Sequence, residues 1–186
     1  MTPLPVPVLE TERLRLRGHD LRDFEPMMAM WGDPDVTRFI GGKPSTQEEV
    51  WSRLLRYIGH WAALGYGYWA VEDRKTGEFL GEIGFADFKR DLQPSFEGIP
   101  ELGWGLGVWA HGKGYATEAA RAAADWGDGH FNGARMVCMI SPENKPSIRV
   151  AEKCGFRPFA ETFYKGSPSL LFERCSPSGG AVGEAD

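Results

Sequence analysis

The chain has 186 residues, a globular-type share of hydrophobic residues (42%) and a net charge of −5. This length predicts one domain with a substantial core, and the acidic balance argues against a nucleic-acid-binding surface, which is basic. No apolar run approaches the roughly 20 residues of a membrane span, no signal peptide is evident, and three scattered cysteines indicate a cytoplasmic setting without a metal site. From the N-terminus, we expect an extended, Pro-rich arm over residues 1–8 and a strand over residues 9–17.

Two helices are predicted next. Asp20 is a candidate N-cap for the first, which we expect to end at Trp31 because a Gly-Asp-Pro turn follows. Ser45 or Thr46 begins the second, with two glutamates in its first turn. Apolar residues recur along the second helix at helical spacing, and we interpret them as a buried stripe formed by Val50, Trp51, Leu54, Leu55, Ile58 and Trp61.

The rest of the chain alternates strands and helices. Strands over residues 68–72 and 79–87 are predicted to form a hairpin, and a long polar loop over residues 88–100 follows it. Residues 175–186 have the composition of a disordered tail. Between loop and tail we expect a strand (101–108), a helix (116–130), a strand (136–140), a helix (146–154) and a final hairpin (156–164 and 169–174).

The functional hypothesis depends on residues 101–121. An extended segment there runs into a turn that contains Gly112 and Gly114, and a strongly helix-forming segment follows. Such a turn directs several free backbone N–H groups to one point, where the helix dipole favours negative charge. We therefore predict a cradle for an anion, most simply for phosphates.

Two nucleotide-binding motifs partly match the same segment. Residues 107–113 read G-x-x-x-x-G-K, but Gly114 stands where a P-loop has the Ser or Thr that holds Mg²⁺. A G-x-G-x-x-G pattern that begins at Gly105 fails at Ala110. A magnesium-dependent nucleotide-binding protein is kept as an alternative.

The segment also resembles the pyrophosphate loop of the GCN5-related N-acetyltransferases (GNATs), [Q/R]-x-x-G-x-[G/A], over residues 111–116, with His111 in place of Gln or Arg. The run GKGYATEAA is similar to the branch that acetylates ribosomal-protein N-termini. TERLRLR, WGDPDV, GYGYWAVEDRKTGEFLGEIGF and ENKPSIRVAEKCGF resemble that branch in the same order. The resemblance implies one N-acetyltransferase domain over residues 9–174. Its α/β (α+β) fold is a mixed, twisted sheet of six to seven strands, with splayed central strands and helices on both faces.

The resemblance also implies how acetyl-CoA, the co-substrate, is held. Backbone N–H groups of the cradle bind its pyrophosphate. Polar groups of the preceding strand, freed by a bulge near Gly105 or Gly107, pair with its pantetheine arm. Asn144 reaches the pantetheine or the acetyl region from the opposite strand. The implied cofactor-binding residues are Leu106, Gly107, Val108, His111, Gly112, Lys113, Gly114, Tyr115, Ala116, Asn144 and Ser147.

Acetyl transfer involves three roles: a hydrogen-bond donor, a general base and a general acid. The N–H of Trp104 is the expected donor to the thioester oxygen, which gains charge in the transition state. Glu101 is the candidate general base, directly or through water. Many family members use a tyrosine as the acid, and Ala151 stands in its place here. A thiolate leaving group needs little help, so a site without a dedicated acid is kept as an alternative. The candidates that could replace the tyrosine are Ser141, Ser147 and Tyr164.

The implied reaction is acetyl transfer from acetyl-CoA to a primary amine, either a protein N-terminus or a small molecule, without a metal. A non-catalytic acyl-CoA sensor of the same fold is the alternative, because the usual tyrosine is absent. A homodimer is a further expectation from the resemblance.

Overall fold

The computed structural model describes residues 5–175, which form one sheet with helices on both faces. The predicted tail beyond Cys175 and the first four residues of the predicted arm lie outside the described residues. The strands are β1 (Leu9–Glu10), β2 (Leu14–Gly18), β3 (Tyr68–Asp73), β4 (Phe79–Ala86), β5 (Glu101–Leu106), β6 (Met136–Ile140), β7 (Arg157–Tyr164) and β8 (Ser167–Arg174). The helices are α1 (Phe24–Trp31), α2 (Pro34–Thr37), α3 (Gln47–Leu64), α4 (Tyr115–His130) and α5 (Lys145–Lys153).

The sheet has the strand order β1-β2-β3-β4-β5-β6-β8-β7, and every neighbouring pair is antiparallel except β5 with β6. The mixed sheet predicted from the resemblance is confirmed, with eight strands in place of six or seven. The extra strand arises because the predicted strand over residues 9–17 folds back on itself. Thr11 makes the turn: its N–H donates to the Leu14 carbonyl, and its hydroxyl accepts from the Leu14 N–H, both at 3.0 Å.

The two parallel strands at the centre of the sheet diverge. Glu101 with Val137 is the one position at which β5 and β6 pair in the described part of the chain, whereas β5 pairs with β4 at six positions from Glu101 to Leu106. The gap widens toward the carboxyl ends of both strands. The predicted splay is therefore confirmed.

The helices cover the two faces of the sheet and create two main cores. On one face, α4 and α5 pack on side chains such as Leu16, Ile83 and Phe85. On the other face, α1, α2 and α3 pack on residues such as Tyr68 and Ala86. The sheet interior is thus buried on both sides, which fits the continuous apolar runs of β3 and β6.

The predicted stripe of α3 is only partly correct. Val50, Leu54 and Trp61 are buried, as expected. The exposed fractions of the other three residues are 41% for Trp51, 46% for Leu55 and 37% for Ile58. An α-helix lying on a sheet buries one stripe, and the buried residues of α3, which include Tyr57, follow that spacing. The three exposed residues lie to the side of this stripe.

The predicted helix starts are confirmed at both positions. Asp20 caps a short 3-10 turn that continues into α1, and its side chain accepts a hydrogen bond from the Arg22 N–H. Thr46 begins α3 in a capping box, in which its hydroxyl accepts from the Glu49 N–H and the Glu49 carboxylate accepts from the Thr46 N–H. Helix α2 begins within the Gly-Asp-Pro segment that ends α1, because Pro34 occupies its first turn and Asp33 caps it.

A buried ion network fixes the corner between β2 and α1. The Arg17 guanidinium donates to both oxygens of Asp23, at 2.7 and 2.9 Å, and to Glu72 at 2.6 Å. Burial by itself would raise the pKa of Asp23, but the hydrogen bonds and charge of Arg17 outweigh it and hold that pKa well below its usual range. No helix among the described residues is both long enough and apolar enough to cross a lipid bilayer.

Candidate active site

The predicted cradle is the N-terminus of α4, which begins at Tyr115, one residue earlier than expected. Gly112 and Gly114 have φ angles of +73° and +80°, a left-handed region that side chains disfavour. The first helical hydrogen bond runs from the Glu118 N–H to the Gly114 carbonyl, and no side chain caps the helix. The N–H groups of Tyr115 and the two residues after it therefore lack helical acceptors and can bind an anion.

Arg13 holds the cradle in place from the turn between β1 and β2. Its guanidinium donates to the Lys113 carbonyl at 2.8 Å and to the Glu118 carboxylate at 2.7 Å, and it lies 4.6 Å from the centre of the Tyr115 ring. The alternation of arginines with leucines in this segment predicts only a charged, solvated face for Arg13. The missed signal is the pairing of TERLRLR with GKGYATEAA, two segments that contact each other only in the folded chain.

Glu118 is the acidic residue nearest the cradle, and its charge is compensated. Burial would raise its pKa, but hydrogen bonds from the Thr11 hydroxyl and from Arg13 hold the pKa below its ordinary value. The carboxylate is therefore ionised and paired with Arg13. It anchors the loop, and its pairing limits the repulsion that it would exert on a bound phosphate.

Backbone groups of β5 face the gap between β5 and β6. The Gly107 N–H donates to the Leu80 carbonyl of β4 at 2.9 Å, and successive residues of a strand direct their backbone groups to opposite neighbours. Leu102, Trp104 and Leu106 consequently direct their backbone N–H and C=O groups toward β6. The pairing of Glu101 with Val137 engages the Leu102 N–H, whereas Trp104 and Leu106 lie beyond the last paired position. The register of β4 with β5 is regular, so the predicted bulge near Gly105 or Gly107 is wrong. The divergence of the strands frees the groups of Trp104 and Leu106 instead.

Val108 does not lie in the strand, contrary to the prediction. It begins a 3-10 turn over Val108–Ala110, and its carbonyl accepts from the His111 N–H at 3.1 Å. The turn forms because the Trp109 ring folds under Gly107, where any Cβ atom would overlap the ring, and because the Trp109 indole donates to the Phe79 carbonyl at 3.0 Å.

His111 bridges the turn. Its Nε2 lies 2.9 Å from the Leu106 carbonyl oxygen, so this nitrogen carries the proton and donates. The Leu106 carbonyl is therefore engaged within the protein, and its N–H is the group left facing the gap. His111, Gly112, Lys113 and Gly114 are all exposed, as a cradle open to a ligand requires.

The other expected residues follow β6 across the gap. Ser141 comes directly after β6, and its hydroxyl accepts from the Glu143 N–H at 3.4 Å. Asn144 caps α5, where its side-chain oxygen accepts from the Ser147 N–H at 3.2 Å, which leaves the Asn144 amide nitrogen as a donor. Ala151, at the position of the usual tyrosine, is completely buried in the core.

Glu101 lies at the opposite end of β5 from the cradle. Its two oxygens accept from Nη2 and Nε of Arg90, at 2.8 and 2.7 Å, and it is 6% exposed. Glu101 is therefore a buried, paired carboxylate and not a solvent-facing one. A cavity of about 230 Å³ opens beside it, lined by Ala86, Asp87, Phe88, Lys89, Arg90, Ser95, Phe96, Glu97, Ile99 and Glu101.

Comparison with known proteins identifies the family. The chain matches the acetyltransferase (GNAT) domain over residues 13–157. The chain belongs to the GNAT family. It is 36% identical over 174 residues to YkkB of Bacillus subtilis (strain 168), which covers 90% of this chain and 95% of YkkB. It is 30% identical over 150 residues to the N-acetyltransferase p20 of Bacillus licheniformis, and that match covers 80% of this chain and 82% of p20.

A solved GNAT-family acetyltransferase from Bordetella pertussis has the same architecture. The TM-score is 0.80 at 32% identity, and the match covers 91% of this chain and 99% of that chain. Together these similarities show a GNAT acetyltransferase, an enzyme that transfers an acetyl group from acetyl-CoA to an amine. The nucleotide-binding P-loop alternative is therefore set aside.

The residues of this GNAT fit acetyl-CoA. The uncapped start of α4 suits a pyrophosphate, and the strand polar groups of Trp104 and Leu106 that face the gap suit the amide groups of pantetheine. The co-substrate thus has complementary groups from the cradle to the middle of β5. Among residues 5–175, no three His, Cys, Asp or Glu side chains are grouped as metal ligands.

Proposed function

We propose that this GNAT acetylates a primary amine at the middle of β5, with the cradle over residues 111–116 holding the pyrophosphate of acetyl-CoA. The observation that carries the proposal is the burial pattern of β5. Gly103 and Trp104 are partly exposed, whereas the other four residues of the strand are buried. The strand is therefore accessible at the point where the Trp104 N–H faces the gap between β5 and β6.

Acetyl-CoA supplies an activated acetyl group: the amine nitrogen bonds to the carbonyl carbon, the C–S bond breaks, and the proton lost by the amine is matched by one gained by the thiol. The Trp104 N–H donates to the carbonyl oxygen as it gains charge. A fixed backbone donor of this kind contributes about 3 kcal/mol in comparable oxyanion sites. Asn144 supports the pantetheine arm with its free amide nitrogen.

Glu101 is the proposed base. Each of its oxygens accepts one hydrogen bond from Arg90 and keeps a second lone pair for an amine proton or for a water. Arg90 in turn lies 4.6 Å from the Phe88 ring and 4.9 Å from the Tyr164 ring, which fixes the direction of the carboxylate. Ser141, at the end of β6, is the proposed proton donor to the thiolate, a group that needs little assistance.

The cavity beside Glu101 is proposed to receive the acceptor. Two of its acids are neutralised, because Lys89 pairs with Asp87 at 2.7 Å and Arg90 pairs with Glu101. Glu97 then gives the lining a single net negative charge, which suits a cationic amine. A protein N-terminus is the first candidate, because the motifs resemble the branch that acetylates ribosomal-protein N-termini. The homodimer and the cytoplasmic location stay predictions.

The test is an amine panel with purified protein and acetyl-CoA. The panel contains peptides with free N-termini, the same peptides blocked at the N-terminus, polyamines and free amino acids. Release of coenzyme A thiol and the mass of the product are measured. We expect thiol release that requires a free amine, with a product heavier by one acetyl group. Binding of acetyl-CoA without amine-dependent release from any class would favour the non-catalytic sensor.

A further inference from the structure

A tyrosine on β3 reaches across the sheet face to the middle of β5. Gly103 lacks a side chain there, and a Cβ atom built on it would overlap the hydroxyl oxygen of Tyr68. The hydroxyl therefore lies directly over the Gly103 backbone, one residue before Trp104. Gly103 and Trp104 are also the two partly exposed residues of β5.

The hydroxyl of Tyr68 is free, although its ring is part of the core. The ring stacks on Tyr57 with centroids 4.3 Å apart, and Tyr68 is only 6% exposed. Tyr57 uses its hydroxyl inside the protein, because it donates to Glu82 and accepts from Arg53. Within residues 5–175, no group hydrogen-bonds to the Tyr68 hydroxyl. Its oxygen is not one of the fully buried polar atoms that lack a partner, so it is accessible to a ligand.

The position of this hydroxyl suits the incoming amine. Alternate residues of β5 share a face of the sheet. Positions 101 and 103 both lie on the face that α1–α3 cover, and the Tyr68 side chain lies on the same face. The Tyr68 hydroxyl and the Glu101 carboxylate consequently border the same side of the strand. Glu101 lines the cavity, and the Tyr68 ring lies 6.5 Å from the ring of Phe88, another lining residue. The acetyl carbonyl, in the plane of the sheet, is open to attack from this side.

We propose that the Tyr68 hydroxyl binds the acceptor: it accepts a hydrogen bond from the amine N–H and directs the nitrogen lone pair toward the carbonyl held at Trp104. This inference rests on the proposed function. It gives the site a substrate-contacting residue in addition to Glu101, Trp104 and Ser141, and it explains why β5 has a glycine at position 103.

The surroundings of Tyr68 decide between hydrogen bonding and proton donation. Burial, together with the charges of Glu101 and Glu82, raises the pKa of Tyr68 above its usual value of about 10. A phenol of this kind stays protonated and is a poor acid toward a thiolate, whose usual pKa is about 8.5. The hydroxyl therefore orients the amine and leaves proton transfer to other groups.

The first test compares Tyr68→Phe with Tyr57→Phe. Tyr68→Phe removes a hydroxyl that has no internal partner, so we expect an unchanged Tm. Its kcat/KM for the amine should fall about tenfold, whereas the Kd of acetyl-CoA should change less than about twofold. Tyr57→Phe is the matched control: it removes the hydrogen bond to Glu82 and should lower Tm, with the smaller effect on kcat/KM. An amine kcat/KM of Tyr68→Phe within about twofold of the wild type would overturn the proposal.

A second test uses the glycine beneath the hydroxyl. Gly103→Ala places a methyl group where the Tyr68 hydroxyl lies, so it should lower the amine kcat/KM as Tyr68→Phe does. In the Tyr68→Phe background, Gly103→Ala should lower the amine kcat/KM little further, because the hydroxyl that the methyl group displaces is already absent. Independent, multiplying losses would contradict the proposal.

The outcomes separate this proposal from the proposed function. Wild-type turnover of any amine supports the function whatever the Tyr68 variants do. A Tyr68→Phe loss that is equal for the amine and for acetyl-CoA would indicate a general disturbance of the site and would overturn the amine contact. If the wild type acetylates no amine, both proposals are wrong.

Discussion

Gly114→Ala tests the cradle, and Gly166→Ala is its matched control. Both glycines have a φ angle of +80°. A Cβ atom at Gly114 would lie 3.4 Å from Nη2 of Arg13, an ordinary contact, and nothing lies within 4 Å of one at Gly166. The expected effect of each alanine is therefore conformational strain of about 1–2 kcal/mol, without a steric clash.

The two sites should release this strain differently. Residues 111–114 are exposed, so the cradle can relax and turn its N–H groups away, and the strain then opposes binding. We expect the Kd of acetyl-CoA to rise about 5- to 30-fold for Gly114→Ala. Gly166 belongs to a two-residue hairpin turn fixed by the pairing of Tyr164 with Ser167, and it cannot relax. Gly166→Ala should therefore lower Tm by about 2–8 °C.

Calorimetric titration with acetyl-CoA and thermal unfolding of both variants measure these effects. Gly166→Ala should bind acetyl-CoA as the wild type does. The reasoning would be refuted by equal Kd values for Gly114→Ala and the wild type, or by the same rise in Kd for both alanine variants.

Three further predictions concern charged groups. Arg13→Ala should raise the Kd of acetyl-CoA about fivefold, since a partly exposed ionic contact contributes about 1 kcal/mol. Arg74→Ala, which removes a similarly exposed arginine of the same region, should leave that Kd unchanged. Glu101→Gln should lower kcat for the amine by about 100-fold or more, with acetyl-CoA binding retained, and an unchanged kcat would exclude it as the base. Burial raises the pKa of Asp23, but Arg17 lowers it by more, so the pKa is lower in the folded than in the unfolded protein. The ionised carboxylate therefore stabilises the fold fully above about pH 4, and this stabilisation is lost as the pH falls. In chemical denaturation, the difference in the free energy of unfolding between the wild type and Asp23→Asn should shrink as the pH falls from about 7 to about 2.

The sequence predicted features that depend on neighbours along the chain. The caps at Asp20 and Thr46 use a side chain and a backbone group two or three residues away, and the structure confirms both. Gly112 and Gly114 have the left-handed angles that their place before a helix indicates. Such features follow from local geometry, so a single sequence was sufficient to find them.

Features that depend on distant segments were missed. Arg13 and Glu118 are 105 residues apart, and nothing in the local pattern of either segment indicates that they pair. The same holds for the Tyr68 hydroxyl over Gly103, which requires the register of three strands. The exposed half of the α3 stripe was wrong because helical spacing predicts which residues share a face, but not how wide a face the sheet covers.

Val108 illustrates a third kind of difference. The glycine-broken segment over residues 101–108 predicts one continuous strand, and the strand ends at Leu106. The Trp109 indole hydrogen bond to Phe79 competes with extension, and that tertiary contact bends the chain into a turn. Tertiary contacts of this kind regularly override local strand preference.

The central claim is that the splayed strands and the uncapped start of α4 bind acetyl-CoA. The most direct measurement is a calorimetric titration of the purified protein with acetyl-CoA, with ATP and Mg²⁺ as the control. The account predicts saturable, micromolar binding of acetyl-CoA and no heat of binding from ATP with Mg²⁺. If acetyl-CoA does not bind, or if ATP with Mg²⁺ binds and acetyl-CoA does not, the central claim is contradicted.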